Sequence, residues 1–357
     1  MAGRSTRSRS SSGWATPEAA RSDPLTTPRR RPPPEPTPAD GPDPYGSAAP
    51  AWLRIDWRRQ LRTIDVPTPE DRYGPVLEPG GAAGPPAPTR VNYVEIGSGP
   101  GLDVVLVHGL SGCWQNWLEN IPQLARGRRV VAIDLPGFGS SPMPPWPISG
   151  ERYGRIVVDL ATELGLEDCA IVGNSLGGFI AAEAAIKAPG RFERVALVSA
   201  AGASHARMRR EPAEVAGRLA VAASPLILKL QERAIRREQV RRWTFGMIFD
   251  RPHLLPPELL WEFFHNGAGK PAFLPALGAL VGYDILDRLG EVEVPALVVW
   301  GRNDRIVPVR DALEYGSRLA RSRTEIFART GHVPMAERPV RFNRLLERFL
   351  DSDRSSR

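Results

Sequence analysis

The sequence predicts an α/β fold: a mostly parallel sheet flanked by helices, with a helical cap inserted ahead of the last two strands. Three observations carry this. Between residues 91 and 202 short apolar runs alternate with stretches of helical spacing, the order that builds βαβ units. The alternation stops over residues 203–293, where the pattern is helical and strand signals are missing. It resumes at Val294 with another apolar run.

Taken in order, residues 1–50 are rich in Ser, Arg and Pro and poor in apolar side chains. Such a stretch buries too little surface to offset the entropy of ordering, so a disordered tail, dispensable for activity, is expected there. In residues 51–66, Trp52, Ile55, Trp57 and Leu61 suit either a short helix or an early strand, and a Pro/Gly-rich link follows at 67–89. "VNYVEIGSG" reads as a strand and "DVVLVHG" as a buried one, since a continuous apolar run belongs inside a parallel sheet. "WQNWLENIPQLA" has helical spacing, "RRVVAIDLPGFG" is strand then turn, and "ERYGRIVVDLATELGL" is helical. "DCAIVGNS", "GGFIAAEAAIKAP" and "FERVALVSAAG" give strand, helix and strand. Beyond the cap, "VPALVVWGRND" and "TEIFARTGH" are strands and "RPVRFNRLLERFL" is a closing helix. The core is thus expected over 51–202 and 294–350, the cap over 203–293, and a short tail over 351–357.

Charge and composition exclude several classes. The net charge is +7, but residues 1–62 hold eleven arginines against six acids, so +5 of it lies in that leading stretch. No helix-turn-helix, zinc-ligand or aromatic RNA-binding signature accompanies it, which argues against nucleic acid. The cap segment 229–242, with Lys229 and five arginines against Glu232 and Glu238, reads as a solvated face rather than a membrane or acidic-ligand surface. Two cysteines, Cys113 and Cys169, lack metal-ligand or redox spacing. No apolar run is long enough to span a bilayer and no secretory leader is visible, so a soluble cytoplasmic protein is expected.

The chemistry centres on "GNSLGG". Ser175 follows an apolar strand, between glycines that permit a tight strand-to-helix turn. A serine hydroxyl is a poor nucleophile unless a base takes its proton and a carboxylate orients that base. Working groups in such sheets gather at the carboxyl ends of strands, where Asp304 and His332 both fall. The chain order Ser175, Asp304, His332 is that of one particular hydrolase arrangement. Asp134 reads as a loop residue and His108 as shaping its turn. His205, His253 and His265 belong to the cap and read as surface or packing residues.

With "GRNDRIVP", "TGHVPMAERP", "VVLVHGLSG" and "AIDLPGFGSS" added, residues 91–350 resemble an α/β-hydrolase with a helical cap. The resemblance implies a catalytic triad of Ser175, Asp304 and His332, with an oxyanion hole from the backbone N–H groups of Leu110 and Leu176. It implies no metal and no organic cofactor. The expected activity is cleavage of a small acyl or carboxylic ester through an acyl-enzyme on Ser175, as in esterases and lipases. A second expectation is C–C hydrolysis of the meta-cleavage-product type, which "GNSLGG" and "WGRNDRIVP" resemble. "HGLSGC" and Val333 depart from that subgroup's glycine-rich oxyanion loop and its tryptophan. Dehalogenases and epoxide hydrolases place an aspartate where Ser175 stands. A ligand sensor on the same fold, without turnover, is a third expectation.

Overall fold

The computed structural model describes residues 43–68, 87–206, 235–266 and 269–352. Eight strands form one sheet: β1 (Leu61–Val66), β2 (Thr89–Ile96), β3 (Val104–Val107), β4 (Val130–Ile133), β5 (Cys169–Asn174), β6 (Phe192–Val198), β7 (Ala296–Gly301) and β8 (Ser322–Phe327). Their spatial order is β1-β2-β4-β3-β5-β6-β7-β8. The pairs β1/β2 and β2/β4 are antiparallel, and every pair from β4/β3 to β7/β8 is parallel.

The continuous apolar runs lie where both sheet faces are covered. β3, β4, β5 and β7 are buried at every residue, and their side chains divide between the faces with period two. Val105 and Val107 join the core under the helices Gly150–Glu163 and Leu176–Lys187, packing with Ile156, Val157, Phe179 and Ile180. Val104 and Leu106 point to the opposite core, with Trp117, Phe342, Leu345 and Leu346. Parallel neighbours need crossover connections, and helices supply them. The helix Gly150–Glu163 begins where Ser149 Oγ accepts the Arg152 N–H at 3.1 Å, a satisfied N-cap.

Four expectations need revision. "WQNWLENIPQLA" is not one helix: it breaks into a 3-10 turn at Trp114–Trp117 and a single α turn at Ile121–Leu124. Pro122, at the start of that α turn, has no N–H with which to continue a helix from the residues before it. The ambiguous stretch after residue 50 is both things in succession, with 3-10 turns at Ala51–Arg54 and Trp57–Arg59 and then β1. A helix, Arg310–Arg318, unassigned from sequence, joins β7 to β8 and buries Ala312 and Tyr315. Residues 43–50, expected within the disordered tail, pack on the body: Tyr45 donates to Glu337 and Ser47 to Glu119. Residues 1–42, and the Pro/Gly link at 69–86, lie outside the described residues.

In the described part of the cap, the helices Glu238–Phe245, Pro257–His265 and Phe273–Leu280 carry the expected helical pattern. Of the basic segment 229–242, the residues to 234 lie outside the described set; beyond them Arg242 pairs with Glu238 at 3.6 Å on an exposed face. Among the described residues no helix is long and apolar enough to cross a membrane.

Candidate active site

Ser175 sits at the carboxyl end of β5, the innermost point of a hard turn into the helix Leu176–Lys187. Its φ is 56° and its ψ −116°, a conformation that costs a non-glycine residue of the order of 1–3 kcal/mol. The surroundings over-determine it. Its N–H donates to Val198 O at 2.9 Å, and its carbonyl accepts from Ala201 and Phe179 at 3.0 and 3.1 Å. The flanking glycines are steric requirements: a Cβ on Gly173 would lie 2.0 Å from Gly177 O, and one on Gly177 would lie 2.2 Å from Val107 O. The turn also sets Ser175 at the positive end of a 12-residue helix.

Asp304 follows β7 and His332 follows β8, and the fold brings them together. His332 Nδ1 lies 2.8 Å from Asp304 Oδ2, with the aspartate side chain fully buried. Because the carboxylate is an acceptor, Nδ1 carries the proton and Nε2 is left able to accept one. Asp304 Oδ1 is held in turn by the N–H groups of Ile306 and Val307, each at 2.9 Å. Asn174, beside the serine, donates its side-chain amide to Val198 O at 3.1 Å and to His332 O at 3.3 Å. That amide ties the turn of Ser175 to the loop of His332, a link the sequence did not disclose.

The two backbone donors expected at residues 110 and 176 flank Ser175. Leu176 opens its helix, so its N–H belongs to the first turn, which has no intrahelical partners. Leu110 lies in a turn closed by Gly112 N–H to Gly109 O at 2.9 Å. Ser111 occupies the turn at φ 59°, a position type II turns favour for glycine. His108 holds this turn from below: Nε2 accepts the Leu135 N–H at 3.0 Å and Nδ1 donates to Gly109 O at 2.7 Å. Burial drives its imidazole down to about 4, so it stays neutral. Asp134, also buried, accepts from Asn92, Trp114 and Ser140 at 2.8 Å and serves loop structure.

Ser175, His332 and Leu110 line one cavity of about 260 Å³. Ile248, Phe263, Phe264, Phe273, Leu280 and Ile306 make its apolar wall. Phe264 stacks on Phe245 with centroids 4.7 Å apart, fixing that wall to the cap. His205, expected as a cap packing residue, lines the same cavity; burial lowers its pKa, and its Nδ1 has no hydrogen-bond partner among the described residues. The Cys113 thiol is driven upward by burial, which keeps it a thiol. Among the described residues no three His, Cys, Asp or Glu side chains gather as a metal site requires.

Below His332 lies Glu337, fully buried. Burial raises its carboxyl from 4.5 to about 7, against hydrogen bonds that lower it. The folded chain therefore holds this proton more tightly than the unfolded chain. Its contribution to stability is complete below about 4.5 and is lost as pH rises to about 7. Comparing urea unfolding at pH 5 and pH 7.5, wild type is expected to lose more stability than Glu337→Gln, by at most about 3 kcal/mol. Equal losses would mean that Glu337 titrates alike in both states.

A profile described as "Alpha/beta hydrolase family" matches residues 104–345. A 2-hydroxy-6-oxo-6-phenylhexa-2,4-dienoate hydrolase of Comamonas testosteroni is 31% identical over 274 residues, covering 73% of this chain and 91% of its own. Among solved structures, a bacterial membrane phospholipase A superposes with TM-score 0.60 and 25% identity, over 83% of this chain and 88% of its own. A thermophilic esterase from Thermogutta terrifontis superposes with TM-score 0.61 and 22% identity, over 81% and 98%.

Proposed function

The chain belongs to the alpha/beta hydrolase family, and from that premise we propose that it is a serine hydrolase cleaving a carboxylic ester with an apolar acyl group. One observation carries the reading: Ser175 and an Asp304-braced His332 open into the same apolar-walled cavity. In the proposed cycle His332 Nε2 takes the Ser175 proton as Oγ attacks the ester carbonyl. The oxyanion is met by the Leu110 and Leu176 N–H groups. Collapse of the tetrahedral intermediate breaks the C–O bond, and His332 returns the proton to the leaving alkoxide. A water, deprotonated by the same nitrogen, then releases the acid and restores Ser175. Asp304 keeps the imidazole oriented and stabilises its cation. The membrane phospholipase A and the Thermogutta esterase, named for ester chemistry, are in keeping with this reading.

A second reading, hydrolysis of a C–C bond in a meta-cleavage product, draws on the 31% identity to the Comamonas dienoate hydrolase. Against it stand Val333 and the Leu110-Ser111 pair, where that subgroup has tryptophan and a glycine-rich loop. A panel of p-nitrophenyl esters of graded chain length, run beside a 2-hydroxy-6-oxodienoate, separates the two. Ester turnover with the dienoate untouched is expected, with kcat/KM rising from acetyl toward medium acyl chains as apolar surface enters the cavity. Consumption of the dienoate alone would transfer the assignment to C–C cleavage. Absence of both, with ligand stabilisation that survives Ser175→Ala, would indicate a sensor.

A further inference from the structure

We propose that the segment Asp43–Trp57 is a working part of the catalytic apparatus, in which Tyr45 acts through Glu337 to hold the loop of His332 in its proton-accepting position. The proposal rests on the reading of His332 as the base.

The loop around His332 is held at several points, among them the Asn174 amide on His332 O and the Asn303 N–H on Thr330 O. The His332 N–H donates to Ile248 O at 2.8 Å, and the N–H groups on either side, of Gly331 and Val333, converge on Glu337. Gly331 donates to both carboxylate oxygens at 2.9 and 3.0 Å, and Val333 to Oε1 at 3.4 Å. The Asp250 N–H, at the cap edge, donates to Oε2 at 2.8 Å. Glu337 thus gathers backbone donors from the histidine loop and the cap margin onto one buried carboxylate. Removal of any donor leaves a desolvated lone pair, a costly arrangement in an apolar interior.

The remaining donor to that carboxylate arrives from the other end of the chain. The Tyr45 hydroxyl donates to Glu337 Oε2 and accepts the Arg251 N–H at 2.7 Å. Burial and the neighbouring carboxylate raise the phenol's pKa, so it remains a donor. Its geometry is set by several contacts at once. Gly46 N–H donates to Glu337 O at 2.9 Å, and the Arg338 guanidinium lies 4.9 Å over the Tyr45 ring while donating to Asp43 O at 2.9 Å. Further along, Trp52 Nε1 donates to Glu119 at 3.1 Å, and Trp57 lies 5.1 Å from Trp114. The segment is therefore pinned at both ends, and it meets the histidine loop at Glu337 and Arg338. A reaction in which the base must meet a serine proton is sensitive to displacements near 1 Å. On this inference Asp43–Trp57 contributes to the working enzyme, although its first residues lie inside the stretch that composition alone marks as a dispensable tail.

The test is a double-mutant cycle in the full-length protein with Tyr45→Phe, Glu337→Gln and both together. Tyr45→Phe keeps the ring beneath Arg338 and removes only the hydroxyl. Three quantities are read: kcat and KM on the best ester, the rate of fluorophosphonate labelling of Ser175, and the unfolding midpoint. In Tyr45→Phe, kcat and the labelling rate are expected to fall together by about tenfold, with KM altered less than about twofold. Glu337→Gln should fall further, and the double variant no lower than Glu337→Gln alone, because the tyrosine acts through the glutamate. A lowered midpoint with wild-type kcat and labelling would make Tyr45 a packing residue and overturn the proposal. A double variant falling by the product of the two single effects would overturn the route through Glu337. Should Glu337→Gln fail to fold, the kinetics of Tyr45→Phe decide. Ester turnover persisting in Ser175→Ala would instead overturn the reading of the site beneath it.

Discussion

Ser175→Ala is expected to lower kcat by about 10⁶-fold, since loss of the nucleophile removes the chemistry of every member acting with it. Covalent labelling by a fluorophosphonate, followed by intact mass, should give one adduct on wild type and none on the variant. The fold should survive. The bonds that hold residue 175 at φ 56° are all backbone, to Val198, Ala201 and Phe179, and alanine keeps them. The same conformation supplies a companion test, because glycine adopts it without strain. Ser175→Gly should therefore be inactive yet more stable than Ser175→Ala by about 1 kcal/mol in urea. Activity above a hundredth of wild type in either variant would remove Ser175 from the mechanism.

Asp304→Asn is expected to cost about 10⁴-fold in kcat. The aspartate uses Oδ1 for the N–H groups of Ile306 and Val307 and Oδ2 for His332 Nδ1. An asparagine can keep its oxygen on the backbone donors only by turning its NH₂ toward the imidazole. Nδ1 must then accept, the proton moves to Nε2, and Nε2 can no longer take one from Ser175. Since the packing is almost unchanged, circular dichroism and the unfolding midpoint should stay close to wild type while activity is lost. A variant within tenfold of wild-type kcat would mean that Asp304 does not orient the base.

The placement of both residues is legible in the sequence for a physical reason. Continuous apolar runs mark strands buried on both faces, and the residues just past β5, β7 and β8 occupy the sheet end where such sites form. The strands follow the same logic, as the facing of Val105 and Val107 away from Val104 and Leu106 illustrates. Elsewhere another physical rule overrides the local pattern. The helical spacing of residues 114–125 is interrupted by Pro122, and the helix Arg310–Arg318 has a strongly polar outer face that masks its buried stripe. His205 and Asn174 carry no local signature, because their roles come from strands that meet only in the folded sheet. Tyr45 sits in a stretch that composition marks as a polar tail, since composition reports what a segment can bury by itself and not the carboxylate waiting for it elsewhere.

The sequence distance between Tyr45 and Glu337, 292 residues, also has a meaning in time. A ribosome adding about 5–20 residues per second needs roughly 15 to 60 s to travel from one to the other. Throughout that interval Ser175 can already occupy its turn, since its backbone partners in β6 and just beyond emerge soon after it. His332 and Glu337 have not yet been made. A nascent chain tethered at residue 300 would be expected to hold a formed but chemically silent elbow. Reactivity would then appear abruptly, as the final helix clears the exit tunnel and Tyr45 meets Glu337.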